Sequence, residues 1–139
     1  SINWSDLPGG SITYRTATDL DGNGSAVDVG GRLELSAPKT IQRDVDDLNG
    51  DGRTLDQLVL INGNNVQVLA NNLVPQPESP DESGAFGSEQ DTNGNGQLDR
   101  GFWAEPRNGG LMVSVHTQGT SRQQHILVTR FEEFVVPRN

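Results

Sequence analysis

The chain has 139 residues, which is enough for one domain with a modest hydrophobic core. Its net charge of −9, from 19 acidic and 10 basic side chains, argues against a nucleic-acid partner, because phosphate neutralisation needs a basic surface. The absence of cysteine excludes disulfides and thiolate metal sites. A low hydrophobic content of 32%, with 17 Gly and 7 Pro, favours turns and loops over long helices.

In the first half of the chain, apolar and polar residues alternate with a period of two. This alternation predicts half-buried strands at 11–16 and 31–37. Residues 57–70 contain two apolar runs separated by Asn62-Gly63. Both residues of that pair tolerate positive φ, so the pair predicts a β-hairpin.

The same alternation predicts two strands near the C-terminus, at 111–118 and 123–136, with Gly119 in the turn between them. No stretch of ten or more residues repeats apolar side chains at helical spacing. Only a short helical turn is expected, at 2–7 or around 40–48. The predicted fold class is therefore mainly β, an antiparallel sheet domain with long loops.

A single domain is predicted for residues 1–139, with one long loop region at 74–110 inside it. The first part of that region, 74–90, is rich in Pro, Ser, Gly and acidic residues, and the whole connection is longer than is usual in a compact domain. It is either a floppy insertion or a loop ordered by a metal ion at 91–99. An ion can order such a loop because metal binding contributes folding free energy.

Three acidic stretches share one spacing of oxygen-bearing side chains: 19–28, 47–56 and 91–99. Each opens with Asp, has Asp or Asn two and four residues later, then Gly, then a further Asp. Ca²⁺ prefers several oxygen ligands, and alternating side chains around a glycine turn can direct several of them to one point. The predicted cofactor is therefore calcium, and the predicted ligands are Asp19, Asp21, Asn23, Ser25 and Asp28; Asp47, Asn49, Asp51, Arg53 and Asp56; and Asp91, Asn93, Asn95, Gln97 and Asp99.

The alternative interpretation of these stretches is a set of β-turns, since Asp, Asn and Gly are also the usual turn residues. The third stretch ends with Asp99 at its ninth place instead of a Glu at the twelfth, and no helical pattern flanks it. It is thus similar to an EF-hand loop without the helices. Upstream of the second stretch, Asp44 and Asp46 are further candidate ligands.

The sequence gives little support for catalysis, and the chain is predicted not to be an enzyme. His116 and His125 lie in predicted strands with no neighbouring carboxylate or nucleophile, so structural roles are expected for both. Trp4 and Trp103 are expected to pack in the core or at its edge, although an exposed indole can also stack on a sugar. A secreted calcium-dependent carbohydrate-binding or adhesion module is therefore the alternative function.

Five segments follow one another in a characteristic order: SITYRTATDLDGNG (11–24), GRLELSAPKTIQRD (31–44), VQVLANNL (66–73), LMVSVH (111–116) and HILVTRFEEFVVPRN (125–139). The first is a predicted strand followed by an acidic glycine turn, and the third is a short Val-x-x-Leu-Ala-x-Asn-Leu-like segment. The chain closes on a predicted strand that ends in Arg-Asn. In this order the segments resemble the globular domain of type IV minor pilins and type II secretion pseudopilins.

This resemblance implies a structural and assembly role among other pilin or pseudopilin subunits, with calcium stabilising the surface loops. It also implies an N-terminal hydrophobic helix that is cut by a prepilin peptidase and anchors the protein in the inner membrane. The chain lacks that helix and starts at Ser1, so membrane contact is expected only through an absent anchor. Export to the periplasm or cell surface is expected, where calcium is plentiful.

Overall fold

The structure, a computed structural model, describes residues 1–7, 10–74 and 101–136. Its strands are β1 (Ser11–Tyr14), β2 (Lys39–Arg43), β3 (Gln57–Asn62), β4 (Asn65–Asn71), β5 (Phe102–Arg107), β6 (Gly110–Thr120) and β7 (Ile126–Val135). They form two antiparallel sheets, with the orders β1-β2-β3-β4 and β5-β6-β7. The predicted mainly β class is confirmed.

The only helical element of the described chain is a 3₁₀ turn at Trp4–Asp6. The Asn3 side chain caps it by accepting a hydrogen bond of 3.3 Å from the Ser5 amide. This turn lies inside the stretch 2–7, where a helical turn was expected. The other candidate, 40–48, instead begins within β2 and continues into the second acidic loop.

The strand predicted at 31–37 does not form, and this prediction is wrong. The segment makes only isolated bridges, Leu33 with Val27 on one side and Leu35 with Ala17 on the other. Both neighbours belong to irregular chain around the first acidic loop, so neither offers a continuous ladder. Regular alternation is therefore not enough for a strand when the partner segments are turns.

The predicted hairpin at 57–70 forms from β3 and β4, but its turn lies one residue later than predicted. Asn62 and Asn65 are a facing pair, which leaves Gly63 and Asn64 as the two-residue loop. Gly63 has φ +60. A glycine at the first loop position fits a type II′ turn, whose twist matches that of the strands.

The C-terminal hairpin also turns later than predicted. Gly119 does not lie in a turn; it lies within β6 and faces Leu127 of β7. The chain reverses after Ser121, whose hydroxyl oxygen accepts hydrogen bonds from the amides of Gln123 (3.3 Å) and His125 (3.1 Å). The serine side chain thus satisfies the backbone donors of the turn and fixes its position.

Part of the region 74–110 was wrongly predicted as loop, because it contains β5 and the start of β6. The turn between these strands is Asn108-Gly109, with φ values of +46 and +78. Positive φ at both central residues is characteristic of a type I′ hairpin, which Asn-Gly pairs favour. This dipeptide was a signal for the hairpin that the sequence interpretation missed.

One edge of β6 joins the two sheets. Along this edge β5 pairs with β6 as far as Val115, and beyond that point residues 72–74 take over. The Val74 amide donates to the His116 carbonyl (3.0 Å), and the His116 amide donates to the Gly101 carbonyl (2.6 Å). The chain passes from β4 to this edge at Asn72, which has φ +58.

The hydrophobic core lies where the two sheets meet. A single apolar cluster combines Ile12 and Leu58 from the first sheet with Phe102, Ala104 and Leu111 from the second. Beside it lies an open apolar groove of about 540 Å³, lined by side chains of both sheets. Among the described residues no helix has the length and apolar character needed to cross a membrane.

Candidate metal centre

The first acidic loop brings three carboxylates together. Oxygen atoms of Asp19, Asp21 and Glu34 all lie within 4.8 Å of one another. The two aspartates are exposed, and Glu34 is half-buried. Such a cluster of hard oxygen atoms has the chemistry that Ca²⁺ prefers, and the like charges repel one another unless a cation lies among them.

Glu34 was not among the ligands predicted from the sequence. Glu34 lies between Leu33 and Leu35, the two residues of the segment after the loop that form the isolated β-bridges. Its Oε2 accepts a hydrogen bond of 2.8 Å from the Leu20 amide. The segment is held against the loop by the Thr18 amide, which donates to the Glu34 carbonyl (3.1 Å). No spacing rule within 19–28 could have identified this residue, because the contact is made by tertiary pairing.

The Asp19 carboxylate organises the loop around itself. It accepts hydrogen bonds from the amides of Gly22 (2.7 Å), Asn23 (3.1 Å) and Gly24 (2.7 Å). These bonds, led by the one from Gly24, lower the pKa of Asp19, because they stabilise its charged form. The loop thus already holds one ionised carboxylate in a fixed position.

The remaining predicted ligands of this loop serve its turns. Asn23 and Ser25 each accept an amide hydrogen bond from two residues further on, at 2.7 and 3.1 Å. Asp28 accepts bonds of 2.8 Å from the amides of Gly30 and Arg32 in the following turn. Asp28 is not part of the carboxylate cluster. The structure therefore brings together two of the five predicted residues, Asp19 and Asp21, and adds Glu34.

The ionisation of Asp19 gives a pH prediction. The pKa of Asp19 is lower in the folded loop than in an unfolded chain. The hydrogen bonds to Asp19 therefore stabilise the fold at pH values above the unfolded pKa, and this stabilisation is lost as the pH falls through the folded pKa. We expect the Gly24 amide resonance to shift during an acid titration, with a midpoint below the ordinary aspartate value. An NMR titration checks this, and a midpoint at or above that value would contradict the geometry. The Gly63 amide is the control.

The second acidic loop repeats the hydrogen-bond pattern of the first. The Gly52 amide contacts both Asp47 oxygens at 3.1 Å, as the Gly24 amide contacts Asp19. Asn49 and Asp51 accept amide bonds from two residues further on, at 3.1 and 2.9 Å. Two separate stretches of sequence thus share these hydrogen bonds, which are the structural counterpart of their shared spacing. Their backbones differ at the first position, where Asp47 has φ +51 and Asp19 does not have positive φ.

The side chains of the second loop are, however, engaged by cationic and amide groups. Arg53 forms an ion pair with Asp56, and the hydrogen bond to Asp56 raises the pKa of Arg53. The Gln57 side-chain amide donates to Asp51 at 2.8 Å and is the main reason that the pKa of Asp51 is lowered. Among the described residues, the carboxylates of this loop do not form a cluster of three like that of the first loop.

The third predicted site, with Asp91, Asn93, Asn95, Gln97 and Asp99, lies outside the described residues. The two histidines differ in their surroundings, since His116 is buried in β6 whereas His125 is exposed before β7. The indole of Trp4 is 43% exposed, and that of Trp103 is half-buried. Comparisons with protein-family models, with curated proteins and with solved structures found no match to this chain.

Proposed function

We propose that the protein is a structural subunit of an exported pilin-like or pseudopilin-like assembly, and that calcium stabilises its surface loops. The observation that carries the proposal is the convergence of Asp19, Asp21 and Glu34 within 4.8 Å. These carboxylates come from two segments, so a bound ion would join the loop to the segment that follows it.

Calcium has a physical reason to act as a stabiliser here. Residues 19–25 are all exposed, and the loop buries little apolar surface. Ordering a backbone costs roughly 1–2 kcal/mol per residue in conformational entropy, which a loop of this kind cannot offset through hydrophobic burial. A divalent cation offsets that cost and at the same time removes the repulsion between the clustered carboxylates.

The surface of the second sheet supports an assembly role. Along β7, Ile126 (63% exposed) and Phe134 (45%) lie on one face, and Leu127 (58%) and Phe131 (60%) lie on the other. These exposed apolar side chains are available for protein–protein contacts, although they alternate with polar residues along the strand and do not form one contiguous patch. The apolar groove beside the core is a second surface suited to packing against another polypeptide.

The assembly role predicts a loss of function in the organism that encodes the protein. We expect deletion of the gene to reduce the number of surface filaments or the export of secreted proteins. Restoring the full-length gene should recover the phenotype, whereas a gene carrying Asp19→Asn and Asp21→Asn should recover it only in part. Asp46→Asn, an exposed substitution of the same type, is the matched control. Unchanged filaments and unchanged secretion in the deletion strain would refute the assembly role.

A calcium-dependent carbohydrate-binding or adhesion module is the second candidate function. The exposed indole of Trp4 favours it, since such a ring can stack on a sugar. Trp4 belongs to the 3₁₀ turn, which packs against β1. Glycan-induced quenching of tryptophan fluorescence that disappears in Trp4→Ala, but not in Trp103→Phe, would favour this candidate over an assembly subunit.

A further inference from the structure

Asp44, which directly follows β2, is the most deeply buried charged side chain among the described residues. It is 0% exposed, and its backbone is fixed at the base of the second acidic loop. Its amide donates to the Gln57 carbonyl (2.9 Å), and its carbonyl accepts from the Leu55 amide (2.6 Å). Asp44 therefore lies at the point where the loop leaves the first sheet and returns to it.

The Asp44 carboxylate faces the loop but only half of it is engaged. Oδ1 accepts a hydrogen bond of 3.0 Å from the amide of Leu48, which is the second residue of the loop. Oδ2 is buried and has no hydrogen-bond partner. A buried carboxylate oxygen without a partner is costly, because burial removes its hydration and nothing replaces it.

The nearby cations serve a different carboxylate. Arg53 pairs with Asp56. Burial lowers the pKa of Arg43, and the negative charge of Asp56 partly opposes that shift. The Arg43 guanidinium donates to the carbonyl oxygens of Leu55 and Val74. The two arginines thus place positive charge near Asp56, whereas Oδ2 of Asp44 has no hydrogen-bond partner.

We propose that Asp44 is a buried ligand of a divalent cation bound in the second acidic loop, with Oδ2 facing the ion and loop oxygens completing the coordination. This inference rests on the proposed calcium role and assigns a residue that lies outside the repeated Asp/Asn spacing. The first turn of the loop is already fixed to Asp44 through the Leu48 amide. For Asp51 and Asp56 to join the coordination, each would exchange its present partner, Gln57 or Arg53, for the ion. The ion would connect the loop to the edge of the core.

Isothermal titration of the chelator-treated chain with CaCl₂ tests the assignment. We expect Asp44→Asn to weaken one class of calcium sites on the order of ten-fold or more, because it removes a charged ligand. The matched control is Glu133→Gln, which removes one negative charge at an exposed position of β7 that is not a candidate ligand. It should change that affinity by less than about two-fold, since solvent screens it. Asp21→Asn should weaken calcium binding at a different class of sites, that of the first acidic loop.

The outcomes separate the two proposals. If the unmodified chain takes up no calcium at millimolar concentration, both proposals fail. If it binds calcium and Asp44→Asn binds it equally well, only the Asp44 assignment fails. Should Asp44→Asn not fold, a crystal of the unmodified chain grown with CaCl₂ decides the question. An anomalous calcium peak at about 2.3–2.6 Å from Asp44 Oδ2 supports the assignment, and a peak elsewhere overturns it.

Discussion

Removing calcium is expected to lower the melting temperature of the protein by roughly 10 °C. A ligand that binds only the folded state at about 100 times its Kd adds about 2.7 kcal/mol to the free energy of unfolding. For a domain of this length, each kcal/mol corresponds to roughly 3–5 °C. The effect is large because the cluster of Asp19, Asp21 and Glu34 is exposed and acidic and gains both charge balance and order from the ion.

Differential scanning calorimetry with excess CaCl₂ and with EGTA measures this change. Magnesium at the same concentration should recover only part of it, because Mg²⁺ is smaller, demands octahedral geometry and gives up its water reluctantly. The double variant Asp19→Asn, Asp21→Asn should show a smaller difference between the two conditions. Glu133→Gln, at an exposed position of β7 that is not a candidate ligand, should behave like the unmodified chain. Identical melting temperatures in CaCl₂ and EGTA would contradict calcium stabilisation.

Replacing Gly101 with alanine is expected to destabilise the fold by roughly 2–5 kcal/mol. Gly101 has φ +73, where a side chain costs roughly 1–2 kcal/mol. A Cβ atom there would also lie 2.7 Å from the Val74 carbonyl oxygen and against the Arg43 guanidinium. Overpacking of this kind costs roughly 1–3 kcal/mol more, because a shift of the Arg43 guanidinium or of the Val74 carbonyl would disturb the buried hydrogen bond between them.

The matched control is Gly63→Ala in the β3–β4 turn. Gly63 also has positive φ, at +60, but a Cβ there would meet nothing within 4 Å. It should therefore show only the backbone term, about 1–2 kcal/mol. Urea denaturation with matched m-values gives the two free energies of unfolding. If the free energy of unfolding fell equally in both variants, the close packing around Gly101 would not add to the cost of the substitution.

The strands that could be predicted from the sequence are those whose pattern and pairing partner are both regular. The β3–β4 pair has two apolar runs and a glycine turn within one short stretch, so local information was sufficient. The strand β5 was missed because Pro106 and the neighbouring glycines look like loop residues. Pro106 is accommodated because β5 pairs with β6 on one side only in the described sheet.

The candidate site was predicted in part for a related reason. Spacing within one loop identified Asp19 and Asp21, since they lie two residues apart on the same turn. It could not identify Glu34, which reaches the cluster from another segment, nor the burial of Asp44, which depends on how β2 packs. Local spacing thus indicates the chemistry of the loops, while tertiary pairing decides which carboxylates meet.

The backbone hydrogen bonds of His116 bring Val74 and Gly101 together, and this affects how much chain can be inserted between these two residues. Val74 and Gly101 bond to the same residue of β6, so residues 72–74 and β5 lie end to end along one edge, as if they were a single strand. Val74 and Gly101, the described residues on either side of 75–100, therefore lie at neighbouring points. Doubling the length of a flexible connection between two such points costs only about 0.6 kcal/mol in closure entropy. Extra length inserted between Val74 and Gly101, such as an epitope tag, is therefore expected to cost the rest of the fold little stability.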